Sequence, residues 1–137
     1  MYPTLPPDYR PSEDEEFMNP LQQEYFRQKL MQWRRQLLKD TGDTRTNLKE
    51  EILAEPDLAD RATLETDRSL ELRTRDRQRK LINKIDSALR RIEDGSYGYC
   101  EETGDPIGAR RLEARPIATM SVEAQAMHET EERLRTG

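Results

Sequence analysis

From Asn19 to about Ala54, apolar residues recur at a broken three- and four-residue spacing: Leu21, Tyr25, Leu30, Trp33, Leu37, Leu48 and Ile52. That period places them on one face of a helix. Asn19-Pro20 starts it well, with Asn as N-cap and Pro at the first helical position. Gly42 interrupts the stripe at a cost of about 1 kcal/mol relative to Ala. The spacing resumes beyond it, so the helix is expected to run through. "AEPDLADRA" then stops it, because Pro56 drives Glu55 out of the α region and lacks the N–H that would extend the helix. Asp57 or Asp60 can cap the next helix. That second helix is predicted from about Leu58 to Ile92, with Leu58, Ala62, Ser69, Leu72, Ile82, Ile85, Leu89 and Ile92 as its seam.

Two long helices joined by so short a turn must pack antiparallel. At ~1.5 Å per residue, about 34 residues make a rod roughly 50 Å long, whose tip at 55–60 carries Asp57 and Asp60. Beyond Ile92, "EDGSYGYCEETGDP" is turn-rich and ends the rod. Ile107 to Ile117 is expected to form one or two short strands. Ser121 can cap a last helix with Val122, Met127 and Leu134 on its apolar face. The resulting boundaries are an acidic, proline-rich N-terminal segment at 1–18, a hairpin at 19–92 and a small lobe with a C-terminal helix at 93–137.

Composition sharpens this picture. Hydrophobic residues make up 33% of the 137-residue chain and charged residues 37%, which suits an elongated helical protein with a narrow apolar seam rather than a broad core. The apolar runs are too short to span a bilayer. The N-terminus lacks the basic start and apolar stretch of a signal peptide, and a single cysteine excludes an internal disulfide framework. The cytoplasm is the expected location.

The net charge of −5 is segregated by sign. Residues 43–67 hold eight acids against three bases, whereas residues 68–91 hold nine bases against three acids. Taken alone, such blocks suit a solvated helix face. A negative whole-chain charge argues against nonspecific DNA binding, which rests on phosphate neutralisation. The basic block can still face an acidic protein surface or a small anion.

Candidate chemistry is sparse. Cys100 as a nucleophile would need a base, and the chain's one histidine, His128, sits among Glu129, Glu131 and Glu132 without an oxyanion-forming loop. "GYCEETGDPIGARRLEARP" reads like the first half of a zinc knuckle, yet Thr103 stands where a second cysteine would be. Cys100 and His128 fall short of the four ligands of a structural zinc site. No phosphate-binding glycine loop is present. Tyr97 and Tyr99 suit core packing in the lobe. Asp57 and Asp60 lie three apart across the turn, so one can cap the helix while the other reaches outward. An acidic tip on a rod suits a cationic or metal-containing site at the bottom of a channel.

"PDLADRATLETDRSLELRTRDRQRKLINKI" followed by "EDGSYGYCEETGDPIGARRLEARP" closely resembles the DksA/TraR family, bacterial regulators that bind RNA polymerase directly and not DNA. The similarity runs from about Met18 to His128. It implies a mainly α fold: a long antiparallel coiled-coil hairpin, a zinc-finger-like lobe and a C-terminal helix. In the family four cysteines hold zinc at positions matching Cys100, Thr103, Ser121 and Ala124. One ligand of four survives here, so the resemblance implies a metal-free lobe held by packing around Tyr97, Tyr99, Ile107, Leu112, Ile117 and Met120.

The family's tip enters the polymerase secondary channel and destabilises promoter open complexes, and Asp57, Asp60 and Ala62 match its tip positions. The resemblance implies that Arg77, Leu81 and Lys84 match residues facing the alarmone ppGpp at the interface with polymerase; Arg and Lys are side chains that pair with phosphates. Gln125 stands where zinc-bearing relatives carry a further lysine. Arg73 and Lys80, on the same helix, are expected at the acidic channel rim. The resemblance thus implies a non-enzymatic, monomeric transcription regulator with RNA polymerase as partner, ppGpp as effector and no stable cofactor. The rival reading is a helical-hairpin adaptor or chaperone whose seam docks a partner protein.

Overall fold

A computed structural model describes the backbone of residues 2–53 and 58–136, and the side chains of residues 2–42 and 63–135. Its elements are α1 (Pro20–Leu53), α2 (Leu58–Asp94), α3 (Ala109–Ala114) and α4 (Val122–Thr136). Asn19 caps α1 as its sequence requires, its Oδ1 accepting the Gln22 N–H at 2.9 Å, and the helix runs unbroken through Gly42. The Pro56 turn lies outside the described residues. At the far end of α2, Gly95 adopts φ +85° and the Ser96 N–H reaches the Arg91 carbonyl at 3.0 Å. This left-handed closure satisfies the Arg91 carbonyl, which the last turn would otherwise orphan.

The chain divides into two compact units, Met31–Asp86 and Met1–Leu30 with Ser87–Gly137. In the first, α1 and α2 run antiparallel. Arg34 Nε donates to Asp86 Oδ1 at 2.6 Å, and seven residues on, the Thr41 hydroxyl donates to Gln78 Oε1 at 3.1 Å. Leu37 and Ile85 are buried between these polar links. Going from Ile85 toward the tip, the inward positions of α2 are Ile82, Gln78, Arg75, Glu71 and Arg68, each half-buried.

That overturns part of the expected seam. Ser69 is exposed and Leu72 is 48% exposed, as is Leu70 at 54%. The three-four period set by Ile85 and Ile82 decides which side faces α1, and it arrives at Arg and Glu rather than at the leucines. Part of each polar head is drawn in with its stem: Arg68 Nε, Glu71 Oε2 and Arg75 Nε are buried. The expected seam residues Leu48, Ile52, Leu58 and Ala62 lie outside the described side chains.

The other unit holds the larger core. Phe26, Leu30 and Ala88 of the two long helices and Tyr97, Ile107 and Leu112 of the lobe are all buried, and the Phe26 and Tyr97 rings lie with centroids 5.8 Å apart. Full burial of a side chain such as Phe26 contributes about 1.5–3 kcal/mol. The Tyr97 hydroxyl donates to the Pro116 carbonyl at 2.8 Å, and burial pushes its pKa up. Among the described residues no strand forms. The expected strands at 107–117 are replaced by α3, whose Ala, Arg, Leu and Glu favour helix and whose Ala109 and Leu112 share the buried face. A lone bridge between Tyr99 and Pro106 is the one β-type pairing among them.

Ser121 caps α4 through its Oγ to the Ala124 N–H at 3.2 Å. The expected apolar face of α4 is not its buried face: Val122, Met127 and Leu134 are exposed at 57%, 65% and 77%. Ala124 is the buried residue instead, and everything from Glu129 to Arg135 is exposed. Only the first turns of α4 dock.

Candidate functional sites: a one-cysteine knuckle and a cationic helix stripe

The knuckle is built from tight turns. Cys100 N–H donates to the Asp105 carbonyl at 2.7 Å, Gly104 N–H to the Cys100 carbonyl at 2.8 Å, and Ile107 N–H to the Gly98 carbonyl at 2.7 Å. Gly98 and Gly104 take φ of +93° and +77°, conformations that glycine adopts without a steric cost. A further bond from Glu101 N–H to the Thr119 carbonyl, 2.9 Å, ties the turn to the segment leading into α4.

Two of the other degenerate ligand positions, Thr103 and Ser121, stand beside the thiol. The Thr103 hydroxyl and the Ser121 N–H donate toward Cys100 Sγ, with smaller help from the N–H groups of Thr103 and Glu102. They hold the thiol down at about 6, against the opposing effect of burial. Ala124 joins through its bond to Ser121. The donor set does not fit zinc, since Thr, Ser and Ala supply neither thiolate nor imidazole. Among the described residues no cluster of three or more His, Cys, Asp or Glu is placed to hold a metal. Structural zinc contributes on the order of 10–16 kcal/mol in zinc-finger peptides, against about 0.5–1.5 kcal/mol for one hydrogen bond. The bonds around Cys100 therefore need other packing to support the knuckle.

His128 pairs with Glu102 across the same turn. Its pKa is raised, first by that hydrogen bond, then by the charges of Glu102, Glu131 and Glu132. The thiol and the imidazole thus each have other partners, and no nucleophile–base couple is formed. A cavity of about 490 Å³ separates the turn from α4, lined by Glu102, Asp105, Glu123 and Glu131 among others.

The second site lies on α2. Arg73, Arg77, Lys80 and Lys84 succeed one another at steps of four, three and four and are all exposed, so they form one cationic stripe. It lies on the side of α2 away from the inward positions Glu71, Arg75, Gln78 and Ile82. Leu81 is half-buried beside it. Gln125 is half-buried on α4, its Nε2 donating to Glu129 Oε1 at 3.3 Å. Asp57 lies outside the described residues. Asp60 and Ala62 fall in the first turns of α2, and their side chains also lie outside.

Sequence reasoning missed Met18, Gln22 and Phe26, which are among the most buried residues. Gln22 and Phe26 stand four apart with Leu30, so the helical period itself could have found them.

Two family models cover residues 22–92 and 95–129 between them. Residues 22–92 match the DnaK suppressor protein DksA N-terminal domain, and residues 95–129 match the prokaryotic dksA/traR C4-type zinc finger. The chain belongs to the DksA family. Among curated DksA proteins, the RNA polymerase-binding transcription factor DksA of Caulobacter vibrioides is 68% identical over 127 residues, 93% of this chain and 89% of the relative. The factor of the same name from Escherichia coli K12 is 44% identical over 129 residues, 94% of this chain and 85% of the relative. The solved structure of transcription factor DksA2 from Pseudomonas aeruginosa superposes with a TM-score of 0.83 at 38% identity, covering 88% of this chain and 94% of that one. The DksA zinc-finger match thus spans a knuckle that holds one cysteine.

Proposed function

We propose that this chain regulates transcription by binding RNA polymerase directly, with its hairpin tip in the secondary channel and ppGpp as effector. The observation that carries the reading is similarity at 68% identity to an RNA polymerase-binding transcription factor across both the hairpin and the knuckle. The exposed cations of α2 support it, because a stripe of Arg and Lys on a rigid helix suits an acidic protein rim or a nucleotide phosphate.

In this reading Asp57, Asp60 and Ala62 act near the polymerase active centre. Arg73 and Lys80 contact the channel rim. Arg77, Leu81, Lys84 and Gln125 face ppGpp. The knuckle works without zinc, and the chain acts as a cytoplasmic monomer that leaves DNA contacts to the polymerase.

The test is co-purification with core RNA polymerase, then transcription from a stable-RNA promoter with and without ppGpp. Asp57→Asn with Asp60→Asn is expected to abolish the effect on transcription while the protein still binds polymerase. Normal regulation by that double variant would overturn the channel mechanism. Tolerance of full charge reversal at the tip would favour the adaptor reading instead.

A further inference from the structure

The residues just before α1 are not a loose leader. Gln22, fully buried on α1, grips them at two points: its Nε2 donates to the Ser12 carbonyl at 3.3 Å, and its Oε1 accepts the Met18 N–H at 2.8 Å. Between those points, Glu13 Oε1 accepts the Arg110 N–H at 3.1 Å, at the start of α3. Phe17 then sets its ring edge-on to Tyr99, with centroids 5.5 Å apart and planes at 87°.

Met18 completes the contact. It is 8% exposed and takes φ +54°, unusual for a residue with a side chain. Its Cγ and Sδ lie 3.0 and 3.2 Å from where a Cβ on Gly98 would stand. Gly98 and Tyr99 form one leg of the knuckle and lead directly into Cys100. The strap thus rests its two largest apolar side chains on the leg that carries the surviving ligand position.

We infer that residues 12–18 are a clamp that closes the metal-free knuckle and shields Cys100. The inference rests on the metal-free reading of that knuckle. A zinc ion would hold the turn to α4 from inside. Here the apolar grip of Phe17 and Met18 and the hydrogen bonds of Glu13 and Gln22 hold its outer leg to α1 and α3.

The test measures alkylation of Cys100 by iodoacetamide in the full-length native protein, with zinc content determined on the same sample. Native Cys100, 2% exposed, should react slowly. In Phe17→Ala with Met18→Ala the rate should rise by about tenfold or more, as expected when a local opening becomes more populated. Hydrogen exchange across residues 63–86 should stay unchanged. Met18→Gly should also speed alkylation, although it relieves the backbone strain. Should the double variant fail to fold, Glu13→Ala decides the matter, since Glu13 is exposed and its loss should still raise the rate severalfold. An unchanged rate in whichever variant decides, or protection lost equally across residues 63–86, would overturn the clamp. Stoichiometric zinc would instead overturn the metal-free reading on which it rests.

Discussion

The Tyr25 hydroxyl donates to Glu113 Oε1 at 2.5 Å, joining α1 to α3 through a partly buried charge. Lys29 reaches the same oxygen at 3.3 Å and donates to the Glu113 carbonyl at 2.8 Å. Burial first, then this carboxylate, push the tyrosine up to about 12. Tyr25→Phe removes one charge-assisted bond and should lower stability by about 1.5–3 kcal/mol, read by chemical denaturation followed by circular dichroism. A neutral result would mean that Lys29 and Arg10, which both pair with Glu113, satisfy it without the tyrosine.

Glycine substitutions should rank by what their Cβ meets. Gly98→Ala places a methyl within 3.0–3.2 Å of Phe17 and Met18 at φ +93°, combining strain with a clash. Gly104→Ala keeps the strain at φ +77° but meets nothing within 4 Å. The strain alone costs on the order of 1–2 kcal/mol, so Gly104→Ala should lose that much and Gly98→Ala distinctly more. Equal losses in thermal denaturation would show that the strap yields freely.

The purified protein should contain no stoichiometric zinc and should stay folded in chelator, because Thr103, Ser121 and Ala124 cannot ligate it. Elemental analysis and circular dichroism with and without chelator check this. Cys100→Ser should fold as well, since the hydrogen-bond donors around the sulfur also suit a hydroxyl. One zinc per chain, lost together with the fold, is the opposite outcome.

Arg77→Ala with Lys84→Ala should weaken the response to ppGpp more than the basal effect on transcription. Charge-assisted contacts contribute about 1.5–3 kcal/mol each, so losing two should weaken nucleotide binding well over tenfold. Gln125→Lys should strengthen the response by adding a cation. Equal loss of basal and stimulated activity would assign both residues to docking alone.

The contact of His128 with Glu102 should depend on pH in one direction. Its pKa is raised above the ordinary value, chiefly by the bond to Glu102. The stabilisation is therefore complete below about 6.5, the unfolded value, and is lost as pH rises through the higher folded one. Titration of the imidazole by NMR should show the elevated value, and Glu102→Gln should return it toward normal. No change in Glu102→Gln would assign the shift to Glu131 and Glu132.

The sequence by itself determined the two long helices, the Asn19 and Ser121 caps, the continuity through Gly42 and the family. These features depend on local periodicity, caps and motif spacing, which near neighbours in the chain suffice to specify. Tertiary structure decided which side of α2 faces inward. The period set by Ile82 and Ile85 turns Arg68, Glu71 and Arg75 toward α1 and leaves Leu70 and Leu72 outside. It also decided that α4 docks by Ala124 rather than by Met127, because only its first turns reach the lobe. The N-terminal strap was the least legible, because it has no period. Its order comes from Gln22, Arg110 and Gly98, residues brought to it from α1, α3 and the knuckle only when the chain folds.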